Sequence, residues 1–304
     1  MYVMNYPLES CALCPRNCSV NRLSGERGYC GAKKDANVAR AALHYWEEPC
    51  ISGDRGSGTV FFSYCSMRCL YCQNALYDGQ RGKEVSPEQL GRIFLGLQEQ
   101  KAHNINLVTP SHYLPQIVSA IRFARADGLS IPIVYNTSGY ETVGAIKLLK
   151  GYVDIFLPDF KYFDDRYAQR YSDVPAYFSY AASAIEEMVK QTGPAVFDDD
   201  GIMQKGVIIR HLVLPGLIRD SKKVIRHLYK TFGDNVYLSI MNQYTPLKRV
   251  RNHPELNKAV NPEDYGRVVD YAISLGVKNG FIQEEGTISE SFIPDFNCHG
   301  VDAP

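Results

Sequence analysis

From residue 58 onward the chain alternates short β-type apolar runs with amphipathic stretches of helical period. Runs at 59–64 (TVFFSY), 104–109 (NINLVT), 131–135 (IPIVY), 153–157 (VDIFL), 207–213 (GVIIRHL), 236–240 (VYLSI) and 278–282 read as strands. Apolar residues at helical spacing predict helices over 87–101, 114–127, 140–150, 177–191, 221–231 and 262–275, several opened by Ser, Thr, Asp or Pro. Strand–helix alternation implies parallel strands joined by crossover helices. The expected fold is therefore α/β, a partial (β/α) barrel of about six repeats over residues 58–304 with a C-terminal extension. Residues 1–57 show no long period and are rich in Cys, Gly and turn formers, which predicts a small cysteine-rich, metal-binding module ahead of the barrel.

A chain of 304 residues can bury a core large enough to fold without disulfides. Lys plus Arg and Asp plus Glu are equal, at 33 each, so no global field favours nucleic acid or an anionic membrane. No stretch reaches the roughly 20 apolar residues that a membrane span needs, and the first residues lack a secretory pattern, so a cytoplasmic location is expected.

Nine cysteines change the picture, because seven fall in two tight groups, at 11, 14, 18, 30 and at 65, 69, 72. In a reducing compartment such groups suggest metal ligands before disulfides. Cys65-x3-Cys69-x2-Cys72 follows the first apolar strand, at the strand end where parallel α/β folds carry their functional loops. Three thiolates can hold three irons of a four-iron four-sulfur (4Fe–4S) cluster and leave the fourth iron open, whereas structural zinc prefers four closed ligands. Cys11, Cys14, Cys18 and Cys30 supply a complete set of four, which suits zinc, an auxiliary iron–sulfur cluster, or thiols without metal. Cys50 and Cys298 read as buried thiols.

The spacing of Cys65, Cys69 and Cys72, with the aromatic Tyr71 before the last cysteine, resembles the signature of the radical S-adenosylmethionine (radical SAM) superfamily. The resemblance implies that these three cysteines carry the cluster and that its open iron chelates S-adenosylmethionine. Reductive cleavage then gives methionine and a 5′-deoxyadenosyl radical that abstracts hydrogen, with Tyr71 near the adenine. VDIFLPDFKY resembles the Asp-x-Lys motif of pyruvate formate-lyase activating enzymes, implying that Lys161 meets the methionine carboxylate while Asp159 orders the site. Without the resemblance, Asp159 and Lys161 read as a surface salt bridge on one face of an extended segment. IIRHLVLPG resembles the Arg-x4-Pro-Gly strand of the same enzymes, implying a carboxylate clamp in Arg210, while His211 faces away and reads as structural.

YNTSGY at 135–140 resembles cofactor-lining segments and brings in Asn136 and Ser138. Gln243 stands where those enzymes carry a ribose-contacting His. The Gly-Gly-Glu that holds the amino group is missing, and Thr109 and His112 are its candidate substitutes. CPRNC, EEPCISG (47–53), HNINLVTP (103–110) and ESFIPDF (290–296) extend the similarity to a branch of pyruvate formate-lyase activating enzyme homologues. That similarity implies a glycyl-radical enzyme as substrate and a flavodoxin or ferredoxin as electron donor. Radical modification of RNA or a metabolite, and a non-enzymatic zinc or iron–sulfur scaffold or sensor, are the competing readings.

Overall fold

The computed structural model describes residues 8–76, 79–283 and 294–302. The strands are β1 (Ala36–His44), β2 (Ser57–Phe62), β3 (Lys83–Val85), β4 (Ile105–Val108), β5 (Ile133–Thr137), β6 (Ile155–Pro158), β7 (Val196–Phe197), β8 (Met203–Leu212), β9 (Tyr237–Met241) and β10 (Gly280–Ile282). The helices are α1 (Pro49–Ser52), α2 (Pro87–Glu99), α3 (Leu114–Ala126), α4 (Val143–Leu148), α5 (Asp165–Ser172), α6 (Tyr177–Thr192), α7 (Ile218–Phe232) and α8 (Pro262–Leu275). The strand order is β10-β9-β8-β6-β5-β4-β2-β1-β3, with β7 on β8. From β2 to β10 along this path every pair is parallel, and β1 and β3 close one edge antiparallel. This is a partial (β/α) barrel, open between the β10 edge and the β1–β3 edge.

Local chemistry explains the element boundaries. Ser86 and Gln89 form a reciprocal capping box at α2, with Pro87 in the first turn where its missing N–H is harmless. Asn261 caps α8, and Gly276 ends it at φ +94°, a conformation that favours glycine. Strands β2, β4, β5 and β6 are buried on both faces, as crossover helices require. Ile133, Tyr135, Phe156, Val207 and Ile209 pack under the helices, while Val134, Ile155, Leu157 and Ile208 fill the barrel interior with Cys50 and Ile51 of α1. The short helix α1 therefore plugs the interior below the strand mouths.

Residues 36–57, expected in the cysteine-rich stretch, contribute β1, α1 and the start of β2. Leu8, Leu13, Cys30 and Ala32 share one apolar core with Val60, Phe62 and Tyr135. Neither β1 nor α5 is anticipated by the sequence pattern. Ala-rich ANVARAALH has little intrinsic strand preference, and pairing with β2 overrides it. Among the described residues no helix is long and apolar enough to cross a membrane. Of ESFIPDF, residues 290–293 lie outside the described residues. Cys50 is buried as expected, whereas Cys298 is only half-buried.

Candidate active site

On β5, β6 and β8 the inner-facing positions switch from apolar to polar at the strand end. Val134 is followed on its face by Asn136, Leu157 by Asp159 and Ile208 by Arg210, because side chains two apart in a strand share a face. These polar residues line a cavity of ≈ 480 Å³ at the strand mouths, together with Cys65, Cys69, Tyr71, Cys72, Ser138, Lys161 and Gln243. Apart from His112, the residues expected around the cluster and S-adenosylmethionine thus border one cavity of a size typical for small-molecule sites. A second cavity, of ≈ 710 Å³, is lined by residues around Asp54 and His103 and contains none of them.

The cysteine loop leaves β2 through Tyr64, whose φ of +73° turns the chain while its N–H bonds Leu76 O at 2.7 Å. It then runs beside the end of α5, where Arg68 N donates to Ser172 O and Leu70 N to Tyr171 O at 3.0 and 2.9 Å. Each sulfur receives a hydrogen bond. Met67 N donates to Cys65 Sγ at 3.3 Å, Ala75 N to Cys72 Sγ at 3.4 Å, and Ser172 Oγ to Cys69 Sγ at 3.0 Å. A chain of hydroxyls, Tyr71 to Tyr162 at 2.6 Å and Tyr162 to Ser172 at 2.8 Å, fixes the Tyr71 ring at the cavity wall.

Burial pushes the Cys65 thiol up to about 12, with the neighbouring Cys69 and Cys72 adding to it. Burial also raises Cys69, against the opposing pull of Lys161. Such thiols stay protonated by themselves, so a bound metal that shares their charge is what makes them thiolate ligands. Three sulfurs supplied with N–H and O–H donors suit an iron–sulfur cluster, whose thiolates are tuned by such bonds. Among the described residues, no three His, Cys, Asp or Glu side chains converge on a point that could hold a single metal ion.

Lys161 Nζ lies 2.6 Å from Asp159 Oδ2, and Arg210 Nε lies 3.1 Å from Asp159 Oδ1. This pair is therefore part of a buried charge set and not the surface salt bridge that spacing alone suggests. Burial opposes ionisation of Asp159, but Lys161 and Arg210 outweigh it and hold the carboxyl below its usual range. Arg210 also donates to Glu47 Oε2 at 3.1 Å and to Asn136 Oδ1 at 2.5 Å. His211 faces away, with its Nδ1 2.7 Å from Phe160 O.

The sequence reading misses Glu47 and Glu48 as site residues. Both line the cavity from the segment before α1, and burial raises both carboxyls, partly offset by Arg210. Two acids before a proline look like a solvated turn, and only the docking of α1 inside the barrel places them under Arg210. Of the two substitutes for the missing Gly-Gly-Glu, Thr109 lines the cavity at φ +60°. His112 does not. It is fully buried, its Nε2 2.8 Å from Ser63 O and its own carbonyl bonded by Arg22 Nη1 at 2.6 Å.

The N-terminal cysteines lie within electrostatic reach of one another. Burial lifts Cys14 far above the usual thiol range, with Cys30, Glu141 and Cys11 adding to it, and burial with Cys11 and Cys18 raises Cys30. Tyr29 N donates to Cys18 Sγ at 3.3 Å and Ala32 N to Cys30 Sγ at 3.5 Å. This stretch packs on the loop of Cys65, Cys69 and Cys72 through Arg16 Nε to Ser66 O at 2.9 Å and Arg68 Nη2 to Tyr29 O at 2.7 Å.

Comparison with known proteins places this geometry. The chain is 28% identical over 275 residues to "Uncharacterized protein MJ0674" of Methanocaldococcus jannaschii, covering 87% of this chain and 74% of that relative. Among solved structures, methylornithine synthase (PylB) matches at TM-score 0.51 and 12% identity, over 81% of this chain and 71% of that one. Native anSMEcpe with bound AdoMet matches at 0.51 and 15%, over 78% and 62%. The [FeFe]-hydrogenase maturase HydG matches at 0.47 and 17%, over 72% of this chain, which spans about half of HydG, 48%. The likenesses to methylornithine synthase and to anSMEcpe show the fold. A family model described as "Radical SAM superfamily" matches residues 59–228, more than half of the 304-residue chain. By its sequence and its partial barrel, the chain belongs to the radical SAM superfamily.

Proposed function

We propose that Cys65, Cys69 and Cys72 carry a 4Fe–4S cluster, that Lys161 and Arg210 hold the methionine end of S-adenosylmethionine, and that the hydrogen abstracted comes from a backbone glycine of a partner enzyme. The observation that carries this reading is the meeting of three sulfurs and the Asp159–Lys161–Arg210 charge set around one cavity. When bound, the cluster supplies the electron that cleaves the sulfonium to methionine and a 5′-deoxyadenosyl radical. The chain's own part is positioning and exclusion. Asp159 fixes both cations, the planar fork of Arg210 suits a carboxylate, and Tyr71, Asn136, Ser138 and Gln243 border the space left for the nucleoside. Burial keeps water from the reacting centre.

The glycine substrate is supported by the resemblance of the Asp159–Lys161 and Arg210 motifs to activating enzymes. A flavodoxin or ferredoxin as electron donor, a cytoplasmic location, and a second metal on Cys11, Cys14, Cys18 and Cys30 belong to the same proposal. The test is anaerobic incubation of the reduced, reconstituted protein with S-adenosylmethionine and candidate glycyl-radical enzymes. A glycyl-radical doublet in electron paramagnetic resonance is expected. Deoxyadenosine without a radical on any partner overturns the glycine substrate and favours RNA or a metabolite.

A further inference from the structure

The floor of the cavity holds a carboxylate that makes no ion pair among the described residues. Its described lining contains three carboxylates, Glu47, Glu48 and Asp159, against two permanent cations, Lys161 and Arg210. Asp159 pairs with both cations and Glu47 pairs with Arg210, which leaves Glu48 with no ion pair among the described residues. Glu48 is only 8% exposed, and its Oε2 is buried with no hydrogen-bond partner among them. Asn106 Oδ1 is likewise buried and unpartnered, and its orientation is settled because Asn106 Nδ2 donates to Glu47 Oε1 at 3.0 Å. Both unmet groups are acceptors, and a buried unpaired acceptor costs about 1–3 kcal/mol, more when charged. Burial pushes the Glu48 carboxyl up, Arg210 only partly offsetting it and Glu47 adding to it, and a cation brought beside it opposes that pressure.

The position of Glu48 separates it from the radical loop. It precedes α1, which plugs the interior below the strand mouths, whereas Cys65 to Cys72 follow the C-terminal end of β2. The cavity reaches the open edge of the barrel, where Trp46 and Ile282 are each 59% exposed. An apolar rim there suits the alkyl stem that carries a cation.

We propose that Glu48 anchors a positively charged nitrogen, an ammonium or guanidinium, of the molecule from which hydrogen is taken. This deepens the functional reading above and rests on the cavity being the place where the radical forms. Trp46 is the one tryptophan of the chain, so its fluorescence reports on this edge directly. The reconstituted protein, with S-adenosylmethionine bound, is titrated with n-hexylammonium, n-hexylguanidinium, n-hexanol and hexanoate. The two cations are expected to bind at least tenfold more tightly than hexanol, and hexanoate more weakly than hexanol. Glu48→Gln is expected to erase the preference, and Glu48→Asp, which keeps the charge, to restore part of it. Cations that bind no better than hexanol in the wild type, or that displace S-adenosylmethionine, overturn the inference. Failure of the radical reading shows separately, as no deoxyadenosine from the same preparation after reduction.

Discussion

Arg210 Nε and Asp159 Oδ1 meet at 3.1 Å, joining β8 to the end of β6 where the two backbones also form a parallel bridge. Through Nη1 the same guanidinium reaches Glu47, so one side chain ties two strand ends to the segment before α1. Breaking a buried pair leaves its partner charge uncompensated, so Arg210→Ala should destabilise the fold by about 3–5 kcal/mol in urea unfolding. Arg210→Lys keeps the charge but loses the fork. It should recover part of the stability while S-adenosylmethionine affinity, by calorimetry, stays at least tenfold below wild type.

The two cysteine groups should be separable. Cys69→Ala should abolish both the absorption of the radical cluster near 400 nm and deoxyadenosine formation. Cys14→Ala should spare both while lowering total bound metal, as counted by elemental analysis and Mössbauer spectroscopy. Equal loss of all iron in both variants would show that the groups act as one site.

His211 gives the fold an acid sensitivity. Burial lowers its pKa from the ordinary histidine value of 6.5 to about 4, so between these pH values the unfolded chain binds a proton that the native state excludes. Its contribution is therefore fully present above pH 6.5 and is lost as pH falls towards 4, by about 3 kcal/mol. His112, lowered to about 3 by burial, acts in the same direction. His211→Asn keeps a donor for Phe160 O without a titrating ring. The variant should lose about 3 kcal/mol less than wild type between pH 6.5 and 4 in urea midpoints.

Gly139 carries a backbone constraint at the site. Its φ is +77°, and an added Cβ would stand 2.3 Å from Asp159 O. Gly139→Ala should therefore cost about 1–3 kcal/mol of stability. By pushing β6 outward it should also weaken S-adenosylmethionine binding more than that loss accounts for, which paired calorimetry and unfolding would show.

The features legible in the sequence have a common character: they depend on local spacing. The β-type runs from TVFFSY to VYLSI, the helical periods between them, the three-cysteine loop and the Asp159–Lys161 alternation all express contacts within a few residues. The features that stayed hidden are set by tertiary placement. β1 exists because β2 offers it a partner, and α5, largely polar, buries only Ala168, Tyr171 and Ser172 yet supplies the hydroxyl that bonds Cys69. Glu47 and Glu48 acquire meaning only where α1 enters the barrel. His112, a candidate substitute for the missing Gly-Gly-Glu, is the satisfied structural residue that a lone histidine more often is.

The most direct test of a cluster held by three cysteines is anaerobic reconstitution with iron and sulfide, reduction with dithionite, and assay for 5′-deoxyadenosine from S-adenosylmethionine, with Cys65→Ala as the control. The account requires a 4Fe–4S spectrum and deoxyadenosine in the wild type, with neither in the control. A lone metal ion among the three sulfurs, or a reduced protein that leaves S-adenosylmethionine intact, would contradict it.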